Sequence, residues 1–255
     1  MEQKIIQGDC LEVMKGFADK SFDLVITSPP YDNLRDYKGY SFDFESTAKE
    51  LFRVLKDNGT CVWIVGDATV DGSETGTSFK QALYFKEIGL NLHDTMIYEK
   101  AALTFPDTNR YYQMFEYMFI FTKGKIKTFN PIKDRKNKSG GRPVHGTVRN
   151  KDGTTQPKAC IGNITKEIGV RFNIWRISHA SNKERAGHPA TFPLSLAKDH
   201  ILSWSNEGNT VLDPFLGSGT TLLAAKQLNR NAVGIEISPE YCEIARRRLE
   251  QGTLL

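Results

Sequence analysis

Asp23-Leu24-Val25-Ile26, followed directly by Thr27-Ser28-Pro29-Pro30-Tyr31, is an apolar run driven into two prolines. An unbroken run of this kind reads as a strand buried on both faces, as in a parallel sheet. Proline has no amide hydrogen to give to a ladder and fixes φ near roughly −65°, so the backbone must leave the sheet in a stiff, extended turn. That turn sets the hydroxyl of Ser28 and the ring of Tyr31 at the carboxyl end of a strand, where open α/β sheets hold their ligands. Two prolines alone describe an ordinary turn. Ser28, Tyr31 and a second motif near the far end of the chain favour a site.

Working outward, Lys4-Ile5-Ile6-Gln7 reads as a short strand ending at Gly8-Asp9, and Leu11, Val13, Met14 and Phe17 as a helix after it. Phe44, Ala48, Leu51, Phe52 and Leu55 fall at helical spacing, and that pattern ends at Asp57-Asn58-Gly59. Cys61 to Val65 is the next buried strand, Gly72 to Thr77 a loop, and Phe79 to Phe85 a helix closed by Gly89. Leu92 to Tyr98 and Met114 to Phe121 predict two strands, an antiparallel pair at one sheet edge. After the middle of the chain, order returns at Asn173 to Ile177, then a helix over Leu194 to Leu202. The strand Thr210 to Asp213 and a helix from Leu222 to Leu228 follow. Ala232 to Ile237 is a further strand, and Ser238-Pro239-Glu240 opens the last helix with an N-cap and a proline at its first position. Arg246, Arg247 and Arg248 lie near that helix's C-terminus, where its dipole favours cations. Strands alternating with helices at both ends predict a doubly wound, mostly parallel α/β sheet.

A chain of 255 residues can bury the core of one domain plus an insertion. An apolar fraction of 39% and a charged fraction of 25% exclude wholesale disorder. No apolar run is long enough for a membrane span, and Met1-Glu2-Gln3-Lys4 does not open a signal peptide. Cys10, Cys61, Cys160 and Cys242 are scattered, with neither metal spacing nor a disulfide framework, which suits a reducing cytoplasm. The net charge of +4 is unevenly spread: residues 123–151 hold ten lysines or arginines against one acid, Asp134. From Lys123 to about Arg171 periodicity fails. Loops of this length inside a domain usually carry function, so the segment reads as an insertion that meets a polyanion.

The second motif is Asp213-Pro214-Phe215-Leu216-Gly217-Ser218-Gly219-Thr220-Thr221. Its glycines let backbone approach a ligand between strand and helix, and Glu236 closes the next strand at the offset where dinucleotide-binding folds hold ribose hydroxyls. By itself such a loop is weak evidence. Taken together, the two motifs resemble those of the amino-group DNA methyltransferases. Thr27 to Tyr31 matches the family's catalytic motif in its Ser-Pro-Pro-Tyr form, and Asp213 to Thr221 its cofactor loop. Gly8-Asp9 matches its short adenine-binding motif, and His188 to Pro193 the segment that closes over the methionine moiety. Catalytic motif first, cofactor loop last and a variable segment between them resemble the circularly permuted beta order. The implied architecture is a permuted Rossmann-like methyltransferase sheet. Its catalytic half is 1–122, a basic target-recognition insertion 123–172, and its cofactor half 173–255.

The resemblance implies S-adenosylmethionine as cofactor, with Asp9, Cys10, His188, Asp213, Phe215, Gly217, Ser218, Gly219, Thr220, Glu236 and Ile237 around it. Glu236 would face the ribose, Asp9 the adenine amine, and the amides around Gly217, Ser218 and Gly219 the methionine end. It implies double-stranded DNA as substrate, and it admits a homodimer and a cognate restriction endonuclease as partners. An exocyclic amine is a poor nucleophile because its lone pair is conjugated with the ring. Acceptors on its N–H bonds free that pair, and Ser28 Oγ and the Pro29 carbonyl are the candidates, with Pro30 stiffening the turn. The target atom is unreachable in a stacked duplex, so the base must be flipped, with Tyr31 stacking on it. No metal is needed, and no Pro-Cys pair exists to attack a ring carbon. Serine at the first catalytic position favours cytosine N4, with adenine N6 as the alternative. A non-catalytic DNA-binding module on a relic fold is the alternative of another class. Lys133, Arg135, Lys136, Lys138, Arg142 and Arg149 are the candidate DNA contacts. Trp175 reads as core rather than as an intercalating wedge.

Overall fold

Phe22–Thr27 (β2) lies at the centre of one eight-stranded sheet, and the order of its neighbours fixes where a ligand can bind. The computed structural model describes residues 1–30, 42–100, 108–178 and 192–251. From the N-terminus the elements are β1 (Gln3–Gln7), α1 (Cys10–Lys15), β2, α2 (Phe44–Val54) and β3 (Leu55–Val65). A short hairpin, β4 (Thr69–Val70) and β5 (Ser73–Glu74), leads to α3 (Thr77–Glu87), β6 (Asn91–Lys100) and β7 (Phe115–Thr122). After four short strands come β12 (Ile174–Ile177), α4 (Leu194–Trp204), β13 (Thr210–Asp213), α5 (Thr220–Gln227), β14 (Asn231–Glu236) and α6 (Pro239–Gln251).

The sheet runs β1-β14-β13-β2-β3-β7-β6-β12, parallel at every pairing except β3 with β7 and β7 with β6. From β2 the chain proceeds one way to β3, while β13, β14 and β1 extend the other way. β2 and β13 therefore flank the switch point, where loops leave the sheet in diverging directions and open a crevice. Val25 is buried on one face among Met14 of α1, Leu51 of α2 and Phe85 of α3. Its neighbours Leu24 and Ile26 point to the other face, where α4 packs on β2, and they too are fully buried. Helices on both faces explain why the β2 run is apolar without alternation.

Several expectations need correction. The edge is β12, which pairs in parallel with β6, so β6 and β7 are inside the sheet. Trp175 of β12 needs none: it is buried against the ring of His200, 4.6 Å away, and is the core residue its sequence context implied. The loop over 72–77 contains half of the β4–β5 hairpin. Asp57-Asn58-Gly59 does not close the helical pattern: α2 ends at Val54, and Leu55 already begins β3. The tripeptide is an irregular stretch inside β3, where Asn58 takes a φ of 64° and the register with β2 slips.

Residues 131–172 form a compact unit of their own, and 1–130 with 173–255 form the other. Residues 123–130 thus belong with the large unit, where Asn130 N donates to Ser203 O and Lys123 N to Gly59 O. The small unit is not structureless. β8 (Lys133–Lys136) pairs with β11 (Ile168–Val170), and β9 (Thr147–Arg149) with β10 (Thr155–Pro157), both antiparallel.

Candidate active site

Thr27 ends β2 and Asp213 ends β13, its parallel neighbour. Across 186 positions of sequence, Thr27 Oγ1 donates to Asp213 Oδ1 at 2.8 Å. The amide of Phe215 also donates to Oδ1, at 3.1 Å, and Thr221 Oγ1 to Oδ2 at 2.5 Å. Asp213 is 1% exposed, and burial pushes its carboxyl up to about 6 while the hydroxyl and amide donors pull it back. This acid was expected at the cofactor. Its carboxylate is instead enclosed by the chain's own donors, so it shapes the turn that follows it and ties that turn to the Ser28 motif. Ser28, half-buried, and Pro29, buried, leave β2 at the same end of the sheet as Pro214 leaves β13, and Pro30 is half-buried. Tyr31 and His188 lie outside the described residues.

The glycine turn is held from both sides. Leu216 N donates to Ile235 O at 2.9 Å, and the missing Cβ of Gly234 leaves room for the Leu216 side chain, which would otherwise be 2.6 Å away. Gly217 and Gly219 have φ of 54° and 86°, and a Cβ on Gly219 would come within 2.8 Å of Ala245 Cβ on α6. From that same helix Arg248 Nη1 donates to Ser218 O and Oγ, both at 2.7 Å, and to Thr220 Oγ1 at 3.2 Å. Ser218 and Thr220, both expected near the ligand, thus have their hydroxyls engaged by α6. Two of the three amides expected there are also committed: Gly217 N donates to Glu236 Oε2 at 2.8 Å and Gly219 N to Leu216 O at 3.1 Å.

Glu236 ends β14 with 9% of its surface exposed and takes a second amide, Ser238 N, at 2.9 Å on Oε1. Burial raises its pKa, and the amides of Ser238 and Gly217 oppose that shift. β1 lies beside β14 in parallel, Gln7 opposite Glu236, and Gly8 N donates to Glu236 O at 3.0 Å. Asp9 follows at once. Its Oδ1 accepts from Glu12 N at 3.1 Å and caps α1. Two carboxylates from opposite ends of the sequence therefore stand at adjacent strand ends. Cys10, expected beside the ligand, sends its side chain into the core. Ile237 is 49% exposed next to Glu236. Phe215 is half-buried, with the ring of Phe42 edge-on at 5.2 Å.

Sequence reasoning missed Thr27 as the link between motifs and Arg248 as the clamp on the glycine turn. For Arg248 a signal existed: it stands three positions after Ala245, so both share one helical face. Of the candidate DNA contacts, Lys133, Lys136, Lys138, Arg142 and Arg149 are exposed. Arg135 is partly spent on its own unit, with Nε donating to Val170 O at 2.9 Å and its guanidinium 4.2 Å over the Phe172 ring. No helix among the described residues is long and apolar enough to cross a membrane.

Comparison with known proteins places this geometry. Residues 22–247 match the model of a DNA methylase family. The chain is 57% identical over 248 residues to the orphan methyltransferase M.BamHII of Bacillus amyloliquefaciens, covering 94% of this chain and 93% of that one. It is 31% identical to the type II methyltransferase M.HpaI of Haemophilus parainfluenzae, over 98% of this chain and 75% of that one. Among solved structures it is similar to an M1.HpyAVI–SAM complex, with a TM-score of 0.68, 26% identity and coverage of 97% and 98%. Its fold is shared with the cytosine-N4-specific PvuII DNA methyltransferase, at a TM-score of 0.70, 21% identity and coverage of 99% and 90%.

Proposed function

This chain belongs to the N6/N4 DNA methylase family, and from that membership we propose that it methylates the N4 amine of cytosine in double-stranded DNA. S-adenosylmethionine is the methyl donor. The acceptors at the site fit it. Ribose hydroxyls and an adenine amine are hydrogen-bond donors, and Glu236 and Asp9 offer carboxylates at adjacent strand ends. We assign Glu236 to the ribose, Asp9 to the adenine amine, and Phe215 and Ile237 to the apolar faces of the nucleoside. The adjacency of β1 and β14 supports a circularly permuted order, since the strand pair that holds these two acids joins the two ends of the sequence.

The observation that carries the reading is the Thr27–Asp213 hydrogen bond, because it holds the Ser28-Pro29-Pro30 turn beside the glycine turn. When bound, the donor supplies a methyl group on a positively charged sulfur. Ser28 Oγ and the Pro29 carbonyl accept the two N–H bonds of the target amine, which turns its lone pair out of conjugation and toward that methyl. Transfer would then be an in-line displacement that breaks the carbon–sulfur bond, leaves the neutral thioether of S-adenosylhomocysteine and passes the surplus amine proton through its hydrogen bond to Ser28 Oγ toward solvent, with a rate that depends on positioning. The stiff proline turn keeps both acceptors at fixed separation. Residues 131–172, with ten basic and three acidic side chains, bind the phosphates of the duplex.

The test is methyl transfer from isotopically labelled S-adenosylmethionine to unmethylated DNA, followed by digestion to nucleosides. N4-methylcytosine is expected, with Ser28→Ala slower by roughly 100-fold. N6-methyladenine as the sole product would overturn the base assignment. No label in DNA would overturn the enzymatic reading.

A further inference from the structure

The strands β9 and β10 form a ribbon that buries none of its residues. All six strand residues are exposed, and Val148 is 47% exposed. A two-stranded hairpin with no apolar support is marginal by itself. This one is braced at its tip instead. Asn150 N donates to Thr154 O at 2.7 Å, and Asn150 Nδ2 to Thr154 Oγ1 at 3.0 Å. Asp152 Oδ1 accepts from Thr154 N at 2.9 Å and from Thr154 Oγ1 at 2.7 Å. Gly153, with a φ of 87°, completes the turn. A ribbon that holds its shape through its turn and leaves all six strand residues exposed presents its side chains to a partner.

The major groove of duplex DNA admits a two-stranded ribbon, and strands roughly 4.8 Å apart with side chains fill its width. The pairing register divides the side chains. Val148 faces Gln156 across the ladder, so these two share one face; Arg149 faces Thr155 on the other. A glutamine amide matches the N6/N7 edge of adenine, and an apolar side chain matches the thymine methyl. Arg149 has the charge that the groove's phosphate walls require, and Lys151 adds a second at the tip. We infer that the β9–β10 ribbon enters the major groove of the target duplex. The Gln156–Val148 face then reads an A·T pair, and Arg149 holds backbone phosphate.

This inference rests on the DNA-methyltransferase reading, and its test separates the two. The full chain, Gln156→Ala and Arg149→Ala are each expressed in a methylation-free host, and the modified motif is mapped by long-read sequencing. Binding of a duplex carrying the motif is measured across a salt series. Gln156→Ala is expected to relax one A·T position, with discrimination there falling roughly 10- to 100-fold. Arg149→Ala should leave the motif unchanged, weaken all duplexes alike and lower the salt slope by about 1. An unchanged motif in Gln156→Ala, or a motif altered by Arg149→Ala alone, overturns the assignment while methylation itself continues. Absence of methylation by the parent chain overturns the underlying reading and the inference with it. Amide hydrogen exchange across residues 131–172 at the parent's protection shows that the small unit of each variant is folded.

Discussion

Asp213 is surrounded by two hydroxyls, one amide and, farther off, the like charge of Glu236. Its carboxyl is raised to about 6 by burial, against an ordinary value near 4. Between those two values the unfolded chain has lost the proton and the folded chain still holds it. Folding stability therefore falls as pH rises through that window. About two units correspond to about 3 kcal/mol. Asp213→Asn removes this ionisation, so urea unfolding from pH 4 to pH 7 should show the variant gaining about 2–3 kcal/mol relative to the parent. Parallel pH profiles would refute the account. Arg248 invites a second substitution at this scale. Arg248→Ala should raise the KM for S-adenosylmethionine about 10-fold while leaving kcat within about threefold, because the guanidinium holds Ser218 and Thr220 and touches no reacting atom. Arg248→Lys should recover part of the loss, and an equal fall in kcat would argue against a positioning role. Both residues stood in plain view in the sequence. Asp213 is legible as part of its motif, but the hydrogen bond that ties its carboxylate to Thr27 is not, because Thr27 is 186 positions away and no local pattern links them. Arg248 was read as a helix-dipole cation, since spacing shows which face a residue occupies but not what lies opposite.

The strand–turn–helix units carrying both motifs were legible because each ends on residues with backbone restrictions. Pro29 and Pro30 stop β2, and Gly217 and Gly219 turn the chain between β13 and α5. Thr210–Asp213 was read to the residue, since a buried strand bounded by Asn209 and Pro214 leaves no latitude. β8 to β11 were not seen. Strands of three or four residues exposed on both faces have no reason to alternate, and alternation is the only signal a short strand gives. The edge position of β12 was hidden for another reason: a parallel partner can lie anywhere in sequence. The packing of the glycine turn on α6 yields a prediction for these two elements. Gly219→Ala introduces a Cβ at a φ of 86° and 2.8 Å from Ala245 Cβ. It should cost about 2–3 kcal/mol, from left-handed strain and the clash together. Measured against an Ala245→Gly single variant, which itself costs about 1 kcal/mol as a helix-interior glycine, the Gly219→Ala cost should fall by about 1 kcal/mol in thermal unfolding while the left-handed strain stays. Full recovery would show that the turn can relax its backbone. No recovery would show that α6 does not press on it.

For the molecule as a whole, the separation into two units has a geometric basis. Val170 lies opposite Lys133 in the β8–β11 pair, and Arg171 N donates to Ile132 O at 2.9 Å. The small unit therefore begins and ends at one place, and its chain enters and leaves beside itself. The large unit has its own cores on both faces of the sheet. Its charges, outside 131–172, are 24 basic and 27 acidic, a net repulsion toward polyanions that the small unit's ten basic residues reverse. Replacing residues 132–171 with a linker of about four glycines and serines should thus leave the sheet and the nucleoside site intact. S-adenosylmethionine should bind within about threefold of the parent affinity, by calorimetry. Duplex binding and methyl transfer should fall by at least about 100-fold, because the phosphate contacts proposed for the basic side chains go with the insertion. Loss of cofactor binding in a variant that still unfolds cooperatively would mean that the small unit contributes to the nucleoside site. Retained methylation of duplex DNA would mean that the substrate is held by the large unit despite its negative charge, which would move recognition away from the basic segment altogether.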